Sequence, residues 1–195
     1  MRMRRRTGLQ FGRRRKRLNL TLFKEVTAWV LEIIFVVALA FMLVYYVGQR
    51  TKVVGTSMEP QFTEGEQLLI NRFGYVFGEP KPNDIIVFVP NGNEKAHHYV
   101  KRVVACPGDT VQIINGVLYV NGEVFVEEFN AATMEYAGIA ETEITLGKDE
   151  YFVLGDNRNN SEDSRYANIG VVKKDYIIGK VWFVVSPLSN FGFVD

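Results

Sequence analysis

Between Ala28 and Gly48 the chain offers water almost nothing to solvate: 21 residues, all apolar or aromatic except Glu32. Coiled as a helix they would be about 31 Å long, enough to cross a hydrocarbon layer of about 30 Å. Trp29 lies near one end and Tyr45 and Tyr46 near the other, where aromatic rings settle at membrane–water boundaries. Glu32 is within a turn of Trp29 and can reach that boundary, so it reads as tolerated rather than functional. A cleaved leader is the competing reading, because Ala38-Leu39-Ala40 has small-x-small spacing. The apolar run nevertheless continues to Val47, where a leader would turn polar. The expectation is one uncleaved transmembrane anchor over residues 25–48.

Charge gives that anchor a direction. Ten lysines and arginines and no acid precede Glu25, while the rest of the chain carries 13 bases against all 22 acids, a net of −9. A basic arm of this kind also suits nucleic acid. Set directly against an apolar span, it reads instead as a flank retained in the cytoplasm by its charge and by anionic lipid. The expectation is a single-pass protein of the cell membrane. Residues 1–24 would be cytoplasmic and residues 49–195 extracytoplasmic, with the lipid bilayer as a partner and nucleic acid not.

Residues 49–195 read as β. Gln67 to Asn71 is a short apolar run. Phe73, Tyr75 and Phe77 alternate at period two, as on a strand with one face packed on a core; an exposed aromatic edge lying on lipid is the alternative. Asp84 to Val89 is β-branched and follows a turn at Pro80 to Asn83. His98 to Ala105 forms another strand, with Tyr99, Lys101 and Val103 on one face and Val100, Arg102 and Val104 on the other. Asn115-Gly116 and Asn121-Gly122 are hairpin signals, because both residues tolerate positive φ, so Thr110 to Val126 reads as a three-stranded meander. Phe129 to Thr145 lacks a period and reads as a loop or small excursion. Glu150 to Leu154 is a strand, and Ile177 to Val185 is the last one.

Three places could carry chemistry. Ser57 follows Gly55 and Thr56 and precedes Met58 and Pro60. Gly55 permits unusual backbone geometry and Pro60 rules out a helix, so Ser57 is either a rigidly held nucleophile or part of an ordinary turn. Lys101 interrupts an apolar strand. Buried, its ammonium would be destabilised and its neutral amine could take a proton from a serine hydroxyl; at an exposed sheet edge it would be unremarkable surface charge. Gly155 to Arg165 contains no aliphatic or aromatic side chain. It is either plain turn or a hydrogen-bonding scaffold, in which Ser161 orients an amine and Asp163 pairs with Arg165. Cys106 is the single cysteine and His97 and His98 are adjacent, which disfavours a zinc site and rules out an internal disulfide.

Taken together, four stretches resemble the type I signal peptidases, the leader peptidases of serine protease family S26. Gly55-Thr56-Ser57-Met58-Glu59-Pro60 resembles that family's G-x-S-M-x-P box. Asn83 to Phe88 is similar to its G-D-I-V-x-F strand, with Asn83 where glycine is usual. Tyr99 to Val111 resembles its lysine box, and Val153 to Arg165 its G-D-N-R-x-N-S-x-D-S-R box. Order and anchor position also match, and the single anchor resembles the Gram-positive branch.

The resemblance implies a mainly antiparallel β catalytic domain with a small excursion around 112–148, preceded by one transmembrane helix. It implies a membrane-bound serine endopeptidase that removes N-terminal signal peptides from exported preproteins, cut after small residues at −1 and −3. Ser57 would be the nucleophile and form an acyl-enzyme, and Lys101 would be the general base. Ser161 would hold the lysine amine, with Asp163 and Arg165 in support. The Ser57 backbone N–H would bind the oxyanion. Some relatives place a serine hydroxyl at the position of Gly55 as second donor, so the second donor here is open. No metal or cofactor is implied. The alternatives are a non-catalytic, membrane-tethered β-domain that binds exported proteins, and a self-cleaving repressor-type protease, which would carry a DNA-binding domain in place of the apolar span.

Overall fold

The structure, a computed structural model, describes residues 20–93, 96–127, 129 and 131–194. Most of the basic arm, residues 1–19, lies outside the described residues. Contacts divide the chain into two compact units, residues 1–41 and 42–195. The described residues of the first are helical. Helix α1 runs Leu20–Val47, 28 residues, and starts earlier than the expected residue 25. Residues 20–25 contain neither glycine nor proline, so nothing stops the helix where the apolar run stops. Side chains from Thr21 to Tyr45 are exposed, and the segment is long and apolar enough to cross a membrane.

The second unit is built of antiparallel strands: β1 Gln49–Lys52, β2 Gln67–Asn71, β3 Ile85–Phe88, β4 Tyr99–Ala105, β5 Thr110–Ile114, β6 Val117–Val120, β7 Glu123–Val124, β8 Ile144–Thr145, β9 Glu150–Leu154, β10 Val172–Lys173, β11 Ile177–Ser186 and β12 Gly192–Phe193. The larger sheet has the order β1-β2-β11-β3-β4-β9-β10, with β12 paired to β11; the smaller has the order β7-β6-β5-β8. Both Asn-Gly pairs form the two-residue turns of the smaller sheet, with φ of 52° and 78° at Asn115 and Gly116 and 53° and 78° at Asn121 and Gly122. Asn83 also has positive φ, 72°, just before β3. That is the left-handed conformation that glycine adopts freely and asparagine tolerates best among other residues.

Strand β4 lies between β3 and β9, with Ile86 opposite Lys101 and Leu154 opposite Arg102. Val100 joins a core with Met58, Phe62 and Val181; Val103 joins one with Ile86, Phe88 and Tyr151; Val104 joins one with Val111, Leu118 and Phe152. One strand therefore feeds all three cores, and the edge reading of Lys101 is wrong.

Two other expectations need correction. Residues Gly74–Phe77 form a short helix, α2, not a strand. Phe73 and Phe77, four apart, stack edge-on with centroids 5.4 Å apart, which is helical spacing as much as it is twice the strand period. Asn71 Oδ1 accepts the Gly74 N–H at 3.1 Å and starts the turn. Val76 and Phe77 are exposed rather than packed on a core. The last strand is β12, where Phe193 packs on Phe183 with centroids 5.1 Å apart.

Candidate active site

Ser57 sits on backbone locked from both directions. Gly55 has φ of 78°, and a Cβ there would meet nothing within 4 Å, so the demand for glycine is conformational rather than steric. On the other side, Met58 and Phe62 are buried in the core, and the Phe62 N–H donates to the Met58 carbonyl at 2.9 Å. Between a turn that glycine permits and a buried anchor the serine has little freedom.

Lys101 is 4% exposed. Its Nζ lies 2.6 Å from Ser57 Oγ, across 44 residues of chain. Burial pushes its ammonium down from 10.5 to about 8; the carboxylates of Asp163, Glu162 and Asp156 pull the other way, and Arg165 adds to the lowering. A neutral amine is thus available close to neutral pH, in hydrogen-bond contact with a hydroxyl.

The polar stretch 155–165 wraps this pair. Asn157 N–H donates to the Ser57 carbonyl at 3.0 Å, and its side-chain amide donates to the Thr56 carbonyl at 3.1 Å. Asn160 Nδ2 donates to Thr56 Oγ1 at 2.6 Å. Gly155 is packed so closely that a Cβ would stand 2.2 Å from Ser161 Oγ and 2.5 Å from the Ser57 carbonyl oxygen. Asp163 and Arg165, both buried, form a pair of 2.8 and 2.9 Å hydrogen bonds, and Asp163 also accepts the Gly155 N–H at 3.1 Å. Ser161 is buried too, yet its Oγ has no hydrogen-bond partner among the described residues.

Sequence reasoning passed over several of these residues. Asn157 and Asn160 act on Thr56 and Ser57 from more than a hundred residues away. Arg102, next to Lys101, is buried and grips Asp156 with two hydrogen bonds of 2.8 Å. Arg158 pairs with Glu127, and the Phe129 ring lies 5.1 Å from the Arg102 guanidinium and 5.6 Å from that of Arg158. No local signal places these pairs, because Arg102 and Asp156 are 54 residues apart in sequence and Glu127 and Arg158 are 31 apart.

A cleft of about 400 Å³ opens onto the pair, walled by residues 53–57 on one side and 97–101 on the other, with Asn160 and Glu162 at its margin. The Ser57 N–H has no acceptor among the described residues. The Gly55 N–H approaches Glu64 Oε1 only at 3.5 Å. Among the described residues no group of three or more histidine, cysteine or carboxylate side chains could hold a metal ion. His97 and His98 line the cleft wall instead.

The chain is similar to known proteins over most of its length. The family described as signal peptidase, peptidase S26, matches residues 26–186. "Signal peptidase I P" of Bacillus subtilis subsp. natto is 36% identical over 173 residues, 85% of this chain and 92% of that protein. "Signal peptidase IB" of Staphylococcus aureus (strain COL) is 34% identical over 189 residues, 86% of this chain and 93% of that protein. The crystal structure of a signal peptidase I from Enterococcus faecalis V583 is 32% identical and covers 52% of this chain and 96% of that chain, with a TM-score of 0.41.

Proposed function

This chain belongs to the signal peptidase family, peptidase S26, and from that premise we propose how its own residues remove signal peptides from exported preproteins. The Ser57 hydroxyl gives its proton to neutral Lys101 and attacks the scissile carbonyl. The oxyanion is met by the Ser57 N–H, a donor worth a few kcal/mol when aimed at developing charge. Collapse breaks the peptide bond, and the Lys101 ammonium returns its proton to the leaving amine of the mature protein. Water, deprotonated by Lys101, then attacks the ester carbonyl, and Lys101 returns the proton to Ser57 Oγ as the signal peptide leaves. Ser161, whose Oγ lies close to Gly155 and has no partner among the described residues, steadies the amine as it changes charge, and the Asp163–Arg165 pair holds the loop that carries it. A second oxyanion donor comes from the backbone beside Gly55 or from water.

The observation that carries this reading is the 2.6 Å approach of a buried lysine amine to Ser57 Oγ at the floor of a cleft. Val53 and Val54 give the cleft a partly aliphatic wall, which favours small apolar side chains at −1 and −3. The rest of the molecule fits the same task. Residues 1–24 form a cytoplasmic arm, 25–48 the anchor and 49–195 the extracytoplasmic catalytic domain. The exposed Leu188, Phe191 and Phe193 favour lipid as a neighbour, and the arm serves topology rather than nucleic acid.

Incubation of the purified chain with a preprotein, followed by N-terminal sequencing of the product, tests the assignment. Ser57→Ala should fold normally and lose cleavage. Near-normal turnover by a folded Ser57→Ala protein would sink the mechanism, and binding without cleavage by the parent would favour the tethered, non-catalytic alternative.

A further inference from the structure

Three carboxylates act on the Lys101 amine: Asp163, Glu162 and Asp156, in falling order of influence. Two of them are already neutralised. Asp163 is paired with Arg165 and Asp156 with Arg102, each through two hydrogen bonds of 2.8 to 2.9 Å. Glu162 differs. Its Oε2 accepts the Tyr99 hydroxyl at 3.0 Å and its Oε1 accepts the Asn168 side-chain amide at 2.6 Å. Neither partner is a cation, and no salt bridge reaches Glu162 among the described residues. The clamp is itself braced, because Asn91 Nδ2 donates to the Asn168 carbonyl at 2.7 Å. On the other side, the Tyr99 ring lies 5.4 Å from Lys101 Nζ.

An arginine-paired carboxylate leaves a dipole whose field falls off faster than that of a bare charge. Arg165 accordingly opposes Asp163 at the Lys101 amine, although Asp163 keeps the larger influence. His97 and His98 line the same cleft but are exposed. Glu162 is the carboxylate at this margin that keeps its whole charge.

Building on the Ser57/Lys101 reading, we propose that Glu162 is a positioning residue: an arginine-free carboxylate, clamped by Tyr99 and Asn168, that steadies protonated Lys101 and so sets the acidity at which the peptidase switches on. Its charge opposes loss of the Lys101 proton in the resting enzyme. The same charge favours the ammonium that forms when Ser57 attacks. Removing it makes the amine easier to neutralise and a weaker base.

The test is the rate of preprotein cleavage against pH, measured on the full chain in detergent micelles at low and high salt. Glu162→Gln keeps the size of the side chain and removes the charge. At low salt its rising limb should move to lower pH by about 0.3–0.5 unit, so that, scaled to its own plateau, it is roughly two- to threefold faster than the parent on the acid side. The plateau itself should fall. High salt should shrink the shift, because the exposed carboxylate is screened over roughly 10 Å or less. Glu162→Asp, which keeps the charge, should keep the parent limb. A limb that stays put in Glu162→Gln at low salt, or moves equally in Glu162→Asp, overturns the proposal. NMR titration of the Lys101 amine in lysine-labelled Ser57→Ala protein, with and without Glu162→Gln, gives a second readout that needs no cleavage. Its midpoint should fall by the same amount; an unchanged midpoint also overturns the proposal. If the parent cleaves no preprotein, the Ser57/Lys101 reading fails while the titration still decides on Glu162.

Discussion

On the proposed mechanism Lys101 supplies the rate, while its burial costs stability. Cleavage needs the neutral amine, so the rate should rise with pH through about 8 and fall about tenfold per unit below it. Lys101→Arg should be inactive because guanidinium stays protonated, and Lys101→His because imidazole is too short to reach Ser57 Oγ. For stability the sign comes from proton binding. Between about 8 and 10.5 the unfolded chain holds a proton at this site that the folded chain has lost. Stability therefore rises with pH across that window, and the full penalty, about 3 kcal/mol, applies below it. Lys101→Met should be inactive yet more stable than the parent at about pH 7, with the advantage fading by about pH 10.5. Thermal unfolding at the two pH values checks this; an equal gain at both would point to packing rather than charge. Ser161→Ala offers a milder contrast. It deletes a buried hydroxyl that has no hydrogen-bond partner among the described residues, so melting temperature should hold or rise, while cleavage slows by about tenfold or more if that hydroxyl steadies the amine. Unchanged cleavage would remove Ser161 from the mechanism.

The elements that carry these residues differ in how openly the sequence announces them. β4 reads as a strand because valines flank Lys101 and Arg102, and the smaller sheet reads as a meander because two Asn-Gly turns are written into it. Asn83 is legible for the same local reason: a left-handed position accepts asparagine where glycine is usual. Residues 73–77 misled because a spacing of four suits both a strand and a helix, and only Asn71 capping Gly74 decides for the helix. The site was legible as residue types and not as distances. Nothing local in Asn157 or Asn160 says that they reach Thr56, and nothing in Glu127 says that it meets Arg158. The loop 155–165 makes a prediction at this scale. Gly155→Ala asks a methyl to stand 2.5 Å from the Ser57 carbonyl oxygen, and backbone cannot move aside as a side chain can. Stability should drop by about 1–3 kcal/mol. Cleavage should fall further, by about a hundredfold, because Ser57 is displaced from its base. Adding Ser161→Ala relieves the 2.2 Å contact but not the 2.5 Å one, so the double variant should stay slow. Full activity in Gly155→Ala would show that the loop yields instead of the serine.

For the whole molecule, the asymmetry of charge across the apolar helix is the organising fact. Ten bases before Glu25 and an acidic remainder favour an arm inside and a body outside. Protease added to cells stripped of their wall should digest residues 49–195 and spare the arm; a body that survives until the membrane is broken would reverse the orientation. The clamp of Asn157 and Asn160 on Thr56 and Ser57 has a further consequence in time. During synthesis the serine emerges about a hundred residues ahead of the amides that hold it, and β9, the strand paired with β4, emerges after Lys101. A growing chain therefore passes through a long interval in which Ser57 is made and the residues that hold it are not. On the proposed mechanism, chemical competence therefore comes late in synthesis, after the amides that hold Thr56 and Ser57 have been made.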